Sequence, residues 1–157
     1  MIMVDKGAMS PPEQDQVLRE VGGALLEVAP PNWSEIRYTI GATAELTSTQ
    51  LEALLDDGSV LDLDPPGPVR RKLRELRTGM YQPGKGTWFT ARYVIRRPTR
   101  YSVDFDYDNE PDFGSEIGFD PVPLTYVNDL KIFPRDDEHV PGWLRQKIDE
   151  AGAGEAD

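Results

Sequence analysis

Tyr101 to Asp108 alternates without exception, with Tyr101, Val103, Phe105 and Tyr107 on one side and Ser102, Asp104, Asp106 and Asp108 on the other. A period of two puts the aromatic and aliphatic side chains on one face of a strand and the carboxylates on the opposite face. Such a strand belongs to a sheet with one covered and one polar face, and the rest of the chain must supply the cover. The run from Trp88 to Arg96, joined to Arg100–Tyr107 through Arg97-Pro98-Thr99, completes a hairpin.

Two helices suit the apolar face. Ser10-Pro11-Pro12-Glu13 reads as a capping box with proline in the first turn, and Val17, Leu18, Val21, Leu25 and Val28 follow at helical spacing until Pro30-Pro31. Gly22-Gly23 inside that helix cost about 1 kcal/mol each, so it needs tertiary packing or a close neighbour there. Val69, Leu73, Leu76 and Met80 form the stripe of a second helix, with Arg70, Arg71, Lys72, Arg74 and Arg77 expected on its outer face.

Trp33–Leu46 reads as one or two strands. Residues 47–64 are ambiguous: Thr49-Gln50-Leu51-Glu52 could start a short helix through Leu54 and Leu55, and Asp57-Gly58 is a hairpin-type turn before Val60–Leu63. Residues 109–123 read as a loop, Val127–Phe133 as a short helix ended by Pro134, and Pro141-Gly142-Trp143-Leu144 as the start of a last helix reaching about Ala151. Residues 1–9 and 152–157 are expected to be disordered. The expectation is one α+β domain over residues 1–157: a mainly antiparallel sheet, two amphipathic helices packed on one face and a C-terminal helix.

Composition narrows the chemistry. The 157 residues contain no cysteine and one histidine, His139, which removes thiolate chemistry, disulfides and Cys- or multi-His metal sites. No stretch approaches eighteen apolar residues, and the first residues lack a signal-peptide core, so a cytoplasmic protein without a membrane partner is expected. The net charge of −11 is unevenly spread. Residues 1–67 hold twelve acids and three bases, residues 68–101 ten bases and one acid, and residues 102–157 fifteen acids and four bases. As a whole the chain should repel nucleic acid and attract basic partners.

The acidic run Asp104, Asp106, Asp108, Glu110 and Asp112 has three readings. A calcium loop needs glycine at its sixth position and a carboxylate at its twelfth. Counting from Asp104 gives Asn109 and Ser115, and from Asp106 Pro111 and Ile117, so both registers fail. A solvated sheet face balanced by Arg92 and Arg96, or a docking surface for a basic protein, remains. The Asp56-Asp57 turn joins the docking candidates. Arg70 to Arg100 with Trp88, Tyr93 and Tyr101 could in principle stack and pair with nucleic acid, but the flanking acidic segments oppose a phosphate backbone. Gln82-Pro83-Gly84-Lys85-Gly86-Thr87 follows a helix and precedes a strand, the wrong context for a phosphate loop, and reads as a turn. His139 reads as an exposed loop residue, and Trp33, Trp88 and Trp143 as core-edge rings.

Taken in order, Pro30-Pro31-Asn32-Trp33-Ser34-Glu35-Ile36, then residues 73–95 (LRELRTGMYQPGKGTWFTARYVI), then Tyr101–Pro111 (YSVDFDYDNEP) resemble the YezG-like immunity proteins of bacterial polymorphic toxin systems. The likeness spans about residues 14–113; residues 47–67 and those after Pro121 depart from it. The resemblance implies a small α+β protein with no catalytic site, and the composition already leads to the expectation of no cofactor. Its partner would be a cognate toxin domain, often a nuclease, which it binds and blocks. The expected interface residues are Asp104, Asp106, Asp108, Glu110, Asp112, Asp56 and Asp57. A generic acidic adaptor and, behind it, a nucleic-acid regulator using the basic 70–100 segment are the alternatives.

Overall fold

A computed structural model describes residues 5–98, 100–113 and 118–155. The chain runs α1 (Pro11–Glu27), β1 (Trp33–Ala42), β2 (Thr47–Leu55), β3 (Val60–Leu63), α2 (Gly67–Gly79), β4 (Thr90–Arg96), β5 (Arg100–Asp106), α3 (Pro123–Ile132) and α4 (Gly142–Glu155), with one 3₁₀ turn at Asp137–His139. The five strands form one sheet in the order β3-β2-β1-β4-β5, and every neighbouring pair is antiparallel. This is the expected α+β architecture. Thr99 in the hairpin turn lies outside the described residues, as do residues 1–4, 114–117 and 156–157.

Register assigns the faces. Ile36, Tyr38 and Ile40 of β1 stand beside Ala53, Leu51 and Thr49 of β2 and beside Ile95, Tyr93 and Ala91 of β4. These side chains meet Leu18, Val21 and Leu25 of α1 and Val69, Leu73 and Leu76 of α2 in one core. The capping box at Ser10 is present in both directions, Ser10 Oγ accepting from the Glu13 amide and Glu13 accepting from the Ser10 amide. Gly22 has a packing reason: the Tyr93 hydroxyl donates to the Leu18 carbonyl at 2.7 Å, and a Cβ on Gly22 would stand 2.5 Å from that hydroxyl. The glycine therefore lets α1 sit directly on the sheet.

The structure corrects four local expectations. Residues 47–55 are a strand, not a helix start, because Thr49, Leu51 and Ala53 alternate into the core and the whole run pairs with β1. Local capping propensity loses to sheet pairing. Arg77 does not lie on the outer face of α2; it is 3% exposed and sits beneath it. Residues 5–9 are not loose, since the Gly7 and Met9 amides donate to the Thr78 and Gly79 carbonyls at 3.0 and 3.2 Å. Finally, α4 continues through residues 152–155 instead of fraying after Ala151.

A second, smaller core closes the end of the sheet where β1 reaches Gly41. Phe89 and Phe113 meet Tyr126 of α3 and Leu144 of α4, with Trp143 edge-on to both Phe89 and Tyr126. Arg77 and Asp129 join the two cores. The guanidinium donates to both Asp129 oxygens at 2.8 and 3.1 Å and to the Trp88 carbonyl at 2.6 Å, and it lies over the rings of Phe89 and Phe133.

Candidate functional site

Among the described residues, α1 and α2 pack on one face of the sheet and no helix is part of the core on the other. The side chains of that other face form rows across the strands: Glu52–Arg37–Val94–Ser102, then Gln50–Thr39–Arg92–Asp104, then Ser48–Gly41–Thr90–Asp106. Arg37, Gln50, Arg92, Arg96, Ser102 and Asp104 are exposed there. Charge is segregated along this face. At the end away from Gly41, Glu35 is gripped by Arg37 on its own strand and by Arg96 across the pair at 2.7 Å. At the Gly41 end, Asp104 and Asp106 of β5 meet the acidic segment that follows the strand.

The five acids of that segment do not share one strand face. β5 ends at Asp106, so Asp108, Glu110 and Asp112 lie on the loop that leaves it. Asp104 is a surface carboxylate, 75% exposed and 3.5 Å from Arg92. Asp106, 16% exposed, builds the turn: it accepts from the Asp108 and Asn109 amides and from Asn109 Nδ2 at 2.9–3.0 Å. Its role is structural, which removes it from the set of free docking carboxylates. Arg92 balances both aspartates, as expected, whereas Arg96 serves Glu35.

Pro111 and Asp112 cross over the sheet at Gly41, where a Cβ would meet Pro111 Cβ at 3.2 Å and the Asp112 carbonyl at 3.4 Å. Side-chain and backbone anchors hold this loop. Trp143 Nε1 donates to the Asp108 carbonyl at 2.7 Å, and Arg135 donates to the carbonyls of Tyr107, Thr87 and His139 at 2.8, 2.9 and 3.0 Å while stacking on Phe89. Gly86 (φ +88°) leaves the space that Arg135 occupies, and the Gln82–Thr87 turn thus receives a side chain, not a phosphate. Between loop and sheet lies a recess of about 190 Å³ lined by Thr39, Ser48, Gln50, Thr90, Arg92, Glu110 and Asp112, among others.

Asp56 and Asp57 lie elsewhere. They form the β2–β3 turn, at the end of the sheet opposite Gly41, roughly 25 Å away along the strand direction. Asp57 Oδ1 accepts from the Ser59 amide and hydroxyl at 2.9 and 2.6 Å, closing its own turn. The structure therefore brings Asp104, Glu110 and Asp112 together around Arg92 and leaves Asp56 and Asp57 out. The hydroxyls of Ser48 and Thr90, flanking Gly41 in register, were not among the expected site residues. Their signal was faint: polar residues at outward positions of two strands look like ordinary solvent-facing positions until the loop folds over them.

The basic segment is largely engaged by the protein itself. Arg70 donates to Thr47 and Thr49, Lys72 pairs with Glu20 at 2.6 Å, and Arg74 reaches the Ala44 carbonyl. Arg97 reaches the carbonyls of Pro31 and Trp33 while lying 4.3 Å over the Trp33 ring. Tyr93 is buried and Tyr101 stacks on it, so these rings are partnered with each other. His139 sits in the 3₁₀ turn, 3.7 Å from Glu138. Among the described residues no group of acids and histidine is placed to hold a metal ion, and no helix is long and apolar enough to cross a membrane.

Against known proteins, neither a family model nor a curated sequence matches the chain.

Two carboxylates on the open face carry a pH prediction. Burial pushes the Glu35 carboxyl up, but hydrogen bonds and charge from Arg37 and Arg96 outweigh it and leave it below the ordinary range. Burial likewise raises Asp106, and the Asn109 and Asp108 hydrogen bonds with the Arg92 charge bring it below that range too. A carboxyl depressed in the folded state adds stability above its unfolded pKa, about 4, and loses it as pH falls through the folded value. The urea midpoint should stay flat from about pH 7 to about pH 5 and fall below about pH 4. Glu35→Gln with Asp106→Asn should lower the neutral-pH midpoint and flatten the acid limb. An acid limb as steep in the double variant as in the natural chain would refute this origin.

Proposed function

We propose that the chain is an immunity protein that binds a cytotoxic domain and covers its catalytic cleft. The observation that carries the reading is the asymmetry of the sheet: helices bury one face, while the other is open and acidic at the Gly41 end, where a loop is clamped from beneath. A docking surface of this kind is rigid before it meets its partner, so little ordering entropy is lost on binding. The resemblance of residues 14–113 to YezG-like immunity proteins supports the same reading. Asp104, Asp108, Glu110 and Asp112 would speed encounter with a basic toxin, and the open face would supply contact area. The engagement of Arg70, Lys72, Arg74 and Arg97 within the fold weighs against use of the 70–100 segment as a nucleic-acid stripe.

The test is growth rescue. The C-terminal domain encoded immediately upstream is induced in a sensitive host with and without this chain. Killing that co-expression reverses, with a complex recoverable by size-exclusion chromatography, is the expected result. Killing that persists, or a harmless upstream domain, removes the immunity reading and leaves an acidic adaptor in its place.

A further inference from the structure

β5 is an edge of the sheet. Among the described residues it pairs with β4 alone, from Arg100 to Asp106, with no bulge, proline or glycine to interrupt the run. Such a regular edge leaves a row of backbone amides and carbonyls free to accept another strand, and proteins that keep an edge unpaired usually blunt it. The opposite edge is blunted: β3 has only four residues and sets Asp62 beside Glu52.

Charge along β5 runs in a definite order. Arg100 opens the strand, exposed, and its guanidinium has no hydrogen bond or ion pair among the described residues. Asp104, 75% exposed, and Asp106 close it. Read backwards, the strand is its own complement. Full antiparallel overlap of two copies, centred on Val103, sets Arg100 opposite Asp106, Tyr101 opposite Phe105 and Ser102 opposite Asp104 of the second copy. Every pair joins positions of the same parity, so apolar side chains stay with apolar ones and polar with polar. An apolar recess of about 290 Å³ flanks this edge on the helix side, lined by Gly22, Gly23, Leu26, Tyr93 and Tyr101 among others, and Tyr101 is 40% exposed. The same overlap brings Phe105 of the second copy beside Tyr101, adding apolar contact to the backbone bonds.

We propose that β5 is the contact between two copies of this chain, joining two five-stranded sheets edge to edge in an isologous dimer. The two-fold axis stands perpendicular to the sheet. Both open faces therefore lie on the same side, and the acidic Gly41 end of each copy stands beside the Arg96 and Arg100 end of the other. The net charge of −11 on each copy opposes the dimer at long range, and salt at about 0.15 M, where the Debye length is about 8 Å, screens most of that repulsion.

Sedimentation equilibrium of the full chain at that salt is the test. The mass should rise from 17.6 kDa toward twice that value between about 1 and about 500 µM, as suits a small interface. Ser102 is exposed, so substitutions there should leave the circular dichroism unchanged. Ser102→Glu puts a carboxylate opposite Asp104 twice per dimer and should weaken association about tenfold, whereas Ser102→Lys should tighten it by a similar factor. Register is read by cross-linking, because the chain has no cysteine of its own. Val103→Cys places two sulfurs at the axis, on Cα atoms about 4.5–5.5 Å apart, within the span of a disulfide. With oxidised glutathione it should cross-link about tenfold faster than Asp62→Cys on β3. A mass of 17.6 kDa at every concentration, a dimer indifferent to both Ser102 variants, or equal cross-linking at the two positions would overturn the assignment. A chain that stays monomeric alone and protects its β5 amides only in a complex with another protein would give the edge to that protein instead.

Discussion

Asp129→Ala should cost about 3–5 kcal/mol and lower the thermal midpoint by roughly 6–20 °C, the largest stability loss expected from one substitution in this chain. The carboxylate accepts three hydrogen bonds, two from Arg77 and one from the Ala44 amide at 2.7 Å. Alanine leaves a guanidinium that is 3% exposed without a counter-ion, together with an orphaned amide. A buried pair is not inherently stabilising, because removing both charges also removes both desolvation costs. Arg77→Met with Asp129→Leu should therefore recover most of the loss. Urea denaturation of the two single variants and the double closes the cycle. A loss below about 1 kcal/mol for Asp129→Ala would show that water reaches Arg77 and that the pair does not join the two cores.

The spacing of α2 carries the buried position of Arg77, although its residue type points outward. Val69, Leu73, Leu76 and Met80 define the buried stripe of α2, and Arg77 falls four residues after Leu73 and one after Leu76, on that same stripe. Spacing pointed inward and charge pointed outward, and spacing prevailed because Asp129, Trp88 and two aromatic rings were waiting. None of those partners is local. The same reason hid β2, whose strand identity depends on pairing with β1, while the hairpin of β4 and β5 and the capping box of α1 were legible because their determinants lie a few residues apart.

The candidate site divides along the same line. Asp104 on the open face follows from strict alternation within β5. Asp106 has the right facing but the wrong role, because a carboxylate at a strand end captures the amides of the turn that follows. Glu110 and Asp112 reach the recess only because the loop folds back over Gly41, and no periodicity encodes that return. Charge alone links Asp56 and Asp57 to the others, and charge carries no information about which end of a strand a turn occupies.

Arg135→Ala should couple stability to the binding face in one substitution. Its guanidinium joins the carbonyls of Thr87, Tyr107 and His139, which come from the segment before β4, the segment after β5 and the 3₁₀ turn. Burial lowers its pKa, yet it stays charged because arginine starts far above neutrality. Truncation strips three half-buried carbonyls of a charged donor and removes the stack on Phe89, a loss of about 2–4 kcal/mol once water repairs part of it. Arg135→Lys should recover less than half, since a single ammonium cannot span three divergent acceptors.

The discriminating readout is local. With Tyr107 released, the loop loses its one charged anchor to the 3₁₀ turn while the Trp143 bond to the Asp108 carbonyl and the Asp106 turn remain, and amide exchange at residues 107–112 should accelerate more than in the β1–β4 ladder. Uniform acceleration across the whole sheet would instead mean that Arg135 stabilises the fold without positioning the acidic loop. In that case the Trp143 anchor and the packing of Pro111 on Gly41 would suffice to hold the loop in place.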